Sequence, residues 1–277
     1  MMFQITRRNR RIEYDHPVIM GILNLTDDSF FDGGRYKNFD LALKHTEQMI
    51  KNGAEIIDIG GESTRPGAEP VSEETEMERV IPVVERIARE FDIIISVDTY
   101  KANVAEEALK SGAEIINDIS GFRFDSGMKQ VIKKYNAIGV IMHIKGTPKT
   151  MQLDPYYEDV VKEVYDYFID IIKDTVNFGI KKENLIIDPG IGFGKKLEHN
   201  IELIKNLKEF KKIGVPVLLG VSRKSMIGAL LGGVSPEERL YGTLASNSVG
   251  YLNGANILRV HDVKEHKEFF KVFLSLC

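Results

Sequence analysis

Eight short apolar runs, each too short to be a buried helix and each rich in Ile, Val and Leu, recur along this 277-residue chain. They are Val18–Leu23, Glu55–Ile59, Ile93–Val97, Glu114–Ile116, Ile138–Met142, Leu185–Ile187, Val215–Leu219 and Asn256–Val260. A strand wetted on one side alternates apolar and polar residues. These runs do not alternate, which suits parallel strands buried on both faces. Between the runs the hydrophobic period changes to 3.6. Phe39, Ala42, Leu43, Thr46, Met49 and Ile50 make one helical stripe that stops at Gly53. Ser72 can cap a helix carrying Met77, Val80, Ile81, Val84, Ile87 and Ala88, with a kink expected at Pro82. Ser235-Pro236-Glu237-Glu238 has the cap, proline and glutamate of a helix start, and Asp262 with Glu265 repeats the capping pattern.

Strand and helix alternate to the end of the chain, with no Gly/Ser-rich or Pro-rich linker to divide it, so residues 1–277 are expected to form one domain. Eight strand–helix units in this length predict a closed (β/α)₈ TIM barrel; an open doubly wound sheet is the alternative. Polar residues follow the apolar runs: Asn24, the 60–65 loop, Asp98, Asn117, His143, Asp188, Ser222-Arg223-Lys224, and Arg259 with His261. A barrel brings all of these strand ends to one mouth, where such folds do chemistry. The opening segment, with Arg8-Asn9-Arg10 between two short extended stretches, is expected to form a hairpin plugging the opposite end.

The net charge of −4 gives no footprint for nucleic acid, so an anionic ligand has to be caught by a local cluster of cations. Hydrophobic residues at 43% are enough for a sizeable core. The single cysteine, Cys277, leaves no intrachain disulfide, and six scattered histidines have no zinc spacing. With no apolar stretch behind the early arginines and no window near the ~18 residues of a membrane span, a cytoplasmic protein is expected.

Two groups of residues point to chemistry. Asp98, Asn117 and Asp188 offer carboxylate and amide oxygens at one mouth. They suit a flat heterocycle, since a carboxylate accepts two parallel N–H groups in the geometry it uses for Arg. Arg65, Arg223, Lys224, Arg259 and His261 are the cations, and several at strand ends favour a phosphate site with Mg²⁺. Singly, each acid is as well read as a turn or cap residue, and each cation as a surface partner of the 41 acidic residues. The Asp188–Lys195 stretch, with Gly190, Gly192 and Gly194, lets backbone approach a ligand but lacks the spacing of a phosphate-binding P-loop. The glycine-rich stretches 26–34 and 60–67 read as mobile lids or as plain connections.

From about residue 17 to 262 the chain resembles the dihydropteroate synthase family. The segments that carry the likeness are 20–26, Asp28-Ser29-Phe30 with Asp32-Gly33-Gly34, 60–66, Val97-Asp98-Thr99, Asn117-Asp118, Met142-His143, 188–195, 222–225 and Arg259-Val260-His261. The resemblance implies condensation of 6-hydroxymethyl-7,8-dihydropterin pyrophosphate with p-aminobenzoate, releasing pyrophosphate in folate synthesis. It implies that Asp98, Asn117, Asp188 and Lys224 hold the pterin, with Met142 and Arg259 beside it. Asn24 would ligate Mg²⁺, while Arg65, Arg259 and His261 hold the pyrophosphate. Phe30, Thr64, Pro66, Phe193, Ser222 and Lys224 would line the aminobenzoate site, where sulfonamides should compete. A homodimer is the usual assembly.

Three positions depart from the family pattern. Asp27 stands for proline, Phe31 for serine, and Phe122 for a second glycine after Gly121. Asp27 removes a rigid φ and adds negative charge beside the expected anion site. Two other activities fit part of the pattern. A pterin-binding methyltransferase shares the barrel and the polar floor but does not need the two long loops. A non-catalytic pterin-binding paralogue is suggested only by Asp27 and Phe31.

Overall fold

The computed structural model describes residues 3–7, 10–26 and 35–277. Phe30, Asp27 and Phe31 lie outside them. A two-stranded antiparallel hairpin, β1 (Phe3–Arg7) and β2 (Arg10–Tyr14), precedes a parallel sheet. Its strands are β3 (Val18–Asn24), β4 (Ile56–Gly60), β5 (Ile94–Asp98), β6 (Ile115–Asp118), β7 (Ile138–Met142), β8 (Leu185–Asp188), β9 (Leu218–Leu219) and β10 (Ile257–Val260). Their order is β8-β7-β6-β5-β4-β3-β10-β9. A bridge between Ile187 and Val217, with the Ile187 N–H donating to Pro216 O at 3.0 Å, joins the two ends of that order into a ring. The chain therefore forms the expected (β/α)₈ barrel.

The apolar runs divide by parity. Ile57, Ile59, Ile95, Val97, Ile116 and Ile187 pack outward against the helices. Val18, Met20, Ile56, Ile94, Ile115, Ile138, Ile186, Leu218 and Ile257 fill the barrel interior. Both faces are buried, so successive residues are apolar while pointing opposite ways. Ile5 and Tyr14 of the hairpin belong to the interior cluster, beside the first residues of β3, β4, β5, β6, β7 and β10. The hairpin thus closes the end of the barrel where the strands begin, and leaves the carboxyl ends for the site.

Nine helices surround the ring: α1 (Arg35–Lys51), α2 (Glu73–Glu90), α3 (Ala102–Lys110), α4 (Met128–Tyr135), α5 (Val160–Phe178), α6 (Leu197–Lys205), α7 (Ser225–Leu230), α8 (Leu240–Leu252) and α9 (Val263–Leu276); short one-turn helices such as Leu207–Phe210 supplement them among the described residues. Ser72 caps α2 by accepting the Thr75 N–H at 3.2 Å, and Pro82 sits inside that helix. Gly53, at φ +97°, ends the turn after α1 as its position suggested. The start at Ser235 carries its expected capping box with Glu238 and proline in the first turn, although the turn it opens, Pro236–Arg239, is 3₁₀ and α8 follows it. The other expected start differs. Asp262 precedes α9 without a side-chain cap, because its carboxylate is taken by Arg223. Among the described residues no helix is long and apolar enough to cross a membrane.

Phe122 adopts a left-handed conformation, φ +64°, that glycine takes without cost. Its buried ring presses on β7 so closely that a Cβ at Gly139 would lie 2.4 Å from Phe122 Cζ. Packing against the absent side chain of Gly139 offsets the strained backbone.

Candidate active site

The strands end in register, and that register assembles the floor of the site. Asn24 pairs with Gly60, Gly60 with Asp98, Asp98 with Asn117, and Met142 with Asp188. Gly60 keeps the first of these contacts open. A Cβ there would sit 3.7 Å from both Asn24 Oδ1 and Asp98 Cβ, so the two side chains flank a gap one methyl wide. Gly220 does the same across the ring, where a Cβ would lie 3.8 Å from Asp188 Oδ2 and 3.9 Å from Lys224 Nζ.

Arg259, reaching from β10, ties the acidic side of the floor together. Its Nε donates to Asp58 Oδ2 at 2.6 Å and its Nη2 to Asp98 Oδ2 at 2.9 Å. Asp58 was not among the residues expected from sequence. It is fully buried and also accepts from Ser96 Oγ at 2.6 Å and Asn117 Nδ2 at 3.2 Å. It therefore fixes both the guanidinium and the amide that face the pocket. The one trace in sequence is a charge within the run Ile56-Ile57-Asp58-Ile59, a place where an unpaired carboxylate would be costly.

The glycine-rich stretch after β8 forms the opposite wall. Asp188 Oδ1 accepts the Gly190 N–H at 2.7 Å, the turn bond expected of it, and leaves Oδ2 toward Gly220. Lys224 Nζ donates to Ile191 O and lies 4.7 Å from the centre of the Phe193 ring. Met142 packs with Ile119, Ile144 and Met151, against which Phe193 and Tyr100 also lean. Lys195 is buried beside His143 and feels the charges of Asp188 and Lys224. It is 3% exposed, and its Nζ lies 3.0 Å from His143 Nδ1, 3.2 Å from His143 O and 3.0 Å from Phe193 O.

At the β10 rim, Ser222 Oγ lies 2.9 Å from His261 Nδ1 and accepts the His261 backbone N–H at 3.1 Å. Arg223, grouped from sequence with the cations of an anion site, is committed elsewhere. It grips the Asp262 carboxylate through Nε at 3.0 Å and Nη2 at 2.5 Å. Its own φ is +56°, and this clamp holds the Ser222 turn against the start of α9. Arg65 is exposed on the β4 loop, and its charge is among those felt at His261. Thr64 is half-buried and Pro66 exposed on the same loop.

Burial dominates the electrostatics. It raises Asp98 to about 7, against the pull of Arg259 and with the repulsion of Asp58. Asp188 is raised for the same reason, with Lys224 and the Gly190 N–H opposing. Lys224 is lowered to about 8 by burial, partly offset by Asp188. His261 is lowered to about 4 by burial and by Arg259 and Arg223, so at neutral pH its imidazole is uncharged. Among the described residues no three His, Cys, Asp or Glu side chains form a metal cage.

Known proteins match this arrangement over nearly the whole chain. The pterin binding enzyme family matches residues 20–261. A dihydropteroate synthase of Escherichia coli (strain K12) is 51% identical over 261 residues, covering 94% of this chain and 92% of that one. The crystal structure of the Yersinia pestis dihydropteroate synthase with a sulfonamide drug complex has a TM-score of 0.93 at 44% identity, covering 99% of each chain. The Xanthomonas albilineans dihydropteroate synthase in complex with 7,8-dihydropteroate has a TM-score of 0.88 at 36% identity, covering 99% of this chain and 98% of that one. The chain belongs to the dihydropteroate synthase family of pterin-binding enzymes.

Proposed function

We propose that this chain condenses 6-hydroxymethyl-7,8-dihydropterin pyrophosphate with p-aminobenzoate to give 7,8-dihydropteroate and pyrophosphate, as a transferase of folate biosynthesis. The observation that carries this reading is the meeting of Asp98 and Asp188 with Arg259 and Lys224 across one barrel mouth. In this reading Asp188 Oδ2, which faces Gly220 and Lys224, and Asn117 take the N–H groups of an aminopyrimidinone, with Lys224 and Met142 beside the ring. On the family resemblance, Phe193, Ser222, Thr64 and Pro66 would receive the amine, as would Phe30, which lies outside the described residues. A sulfonamide competes there.

The reaction is a dissociative substitution. The bond between the exocyclic methylene and the pyrophosphate oxygen breaks first, and the departing group takes the electron pair. Positive charge then spreads from the methylene into the pterin ring, over the acidic floor of Asp58, Asp98 and Asp188. Arg65, Arg259 and the neutral N–H of His261 receive the leaving pyrophosphate. The lone pair of the aromatic amine closes the new C–N bond, and the proton it loses passes to water. Orientation against Phe193 matters more than a strong base, because the amine is uncharged and its target is electron-poor.

Mg²⁺ fits the Asn24 side of the mouth. Asn24 Oδ1 faces the Gly60 gap and would be the protein's ligand, while Asp58 and Asp98 already serve Arg259. Mg²⁺ is commonly held in this way with phosphate substrates, and when bound there it would neutralise charge on the departing group. We also assign a homodimer in the cytoplasm. In support of the dimer, Leu230, Leu231, Tyr241, Val249, Leu252 and Val272 expose apolar surface on and around α7, α8 and α9. Residues 1–277 act as one pterin-binding domain. The test of the activity is pyrophosphate release from the two substrates together. We expect release that needs both and Mg²⁺; release from the pterin substrate with no dependence on p-aminobenzoate would overturn the assignment.

A further inference from the structure

A buried ionic network under the β4 loop has no part in the chemistry described above. Glu62, two residues before Thr64, accepts three bonds. Tyr100 Oη donates to its Oε1 at 2.6 Å, Lys101 Nζ to its Oε2 at 2.6 Å, and the Val71 N–H to the same oxygen at 2.9 Å. Lys101 also donates to Glu76 Oε2 at 2.6 Å and to Val71 O at 2.7 Å, so its three ammonium protons are spent. Glu76 Oε1 is buried with no hydrogen-bond partner among the described residues. The loop begins flush on α2. A Cβ at Gly61 would lie 2.7 Å from Val80 Cγ2, and Arg79 Nη1 donates to Gly61 O at 2.9 Å.

The donors come from the strand end that also builds the floor. Asp98, on Arg259, is followed by Thr99, Tyr100 and Lys101; Tyr100 further leans on the cluster of Met142 and Ile144 beside Phe193. A stretch of four residues therefore joins the carboxylate at the bottom of the pocket to the loop bearing Thr64, Arg65 and Pro66. Two carboxylates on one lysine, with an oxygen left bare, is a poor device for stability alone, since a buried ion pair gains little over apolar packing. What it supplies is a fixed position for the chain that leaves Glu62.

We propose that Glu62, Tyr100 and Lys101 are positioning residues that set the β4 loop for the second substrate, and that they act on p-aminobenzoate capture rather than on the pterin floor. This rests on the transferase activity assigned above. The test compares Tyr100→Phe, Glu62→Gln and Lys101→Met with the unaltered chain. Readouts are KM for p-aminobenzoate, kcat, and the calorimetric Kd of the pterin substrate's non-reactive analogue 6-hydroxymethylpterin. Loss of a charged buried bond predicts a KM for p-aminobenzoate raised about tenfold, with pterin Kd held within about twofold. Tyr100→Phe, which removes a single hydroxyl, gives a smaller rise in the same direction and keeps the test open where Lys101→Met fails to fold. Equal losses in both substrates, or unchanged KM with lowered thermal stability alone, overturn the inference. An unaltered chain that releases no pyrophosphate overturns the activity itself, and the inference falls with it.

Discussion

Lys224 sits where its charge is disfavoured, yet its ammonium holds one wall of the pocket. Burial lowers its pKa to about 8, within reach of ordinary assay conditions. The protonated form holds Ile191 O and lies over Phe193, so deprotonation above pH 8 should loosen the wall of the pocket. The sign follows directly: kcat/KM falls as pH rises through about 8, because that ratio reports the free enzyme. Lys224→Arg should carry the basic limb beyond the assay range, whatever it does to the maximum. An unmoved limb in the pH–rate profile would mean that another group titrates there. Two neighbours show what a sequence conceals at this scale. Asp58 reads as one charge in an apolar run, and its bonds to Ser96, Asn117 and Arg259 span 38, 59 and 201 residues. Arg223 reads as a phosphate ligand beside Lys224, yet its partner Asp262 is 39 residues away. Spacing along the chain carries no trace of such pairings.

Apart from β9, strand bounds were legible to within one or two residues, and the error has a direction. β3, β4, β5, β6 and β8 each continue past the last apolar residue to Asn24, Gly60, Asp98, Asp118 and Asp188. A hydrophobic pattern stops where the polar site begins, but backbone pairing does not. β9 is shorter than the apolar run suggested, because Pro216 has no N–H to give and offers only its carbonyl to Ile187. The junction between hairpin and barrel holds a pH-sensitive contact that no pattern shows. His16 lies 2.9 Å from Asp15 Oδ1 and 2.6 Å from Glu55 Oε1, while Lys267 of α9 meets Glu55 Oε2 at 3.0 Å. Burial pulls the His16 pKa down, but its bonds to Asp15 and Glu55 outweigh that, and the folded value is raised above 6.5. Its contribution to stability is therefore complete below pH 6.5 and is lost as pH rises through the folded value. Thermal unfolding followed from pH 6 to 9 should show Tm declining more steeply in the native chain than in His16→Gln. Parallel slopes would remove this histidine from the account.

At the scale of the whole molecule, the ring makes a site from residues that are far apart in sequence. Each strand places one or two polar groups at the same end, the hairpin seals the other, and α1 to α9 supply the outer apolar wall. The mouth itself was legible, because alternation of strand and helix implies convergence of the strand ends. The division of labour within it was not, since Arg259 serves the acidic floor as much as the rim. Phe122 shows that a departure from the family pattern can be absorbed when a partner gives way, here at Gly139. The central claim is that Asp188 holds the pterin on that floor. Calorimetric titration of 6-hydroxymethylpterin into the native chain and Asp188→Asn tests it most directly. Loss of charged hydrogen bonds worth about 1.5–3 kcal/mol should weaken binding roughly tenfold to a hundredfold, with thermal unfolding still cooperative. Equal affinity in the two proteins would contradict the account.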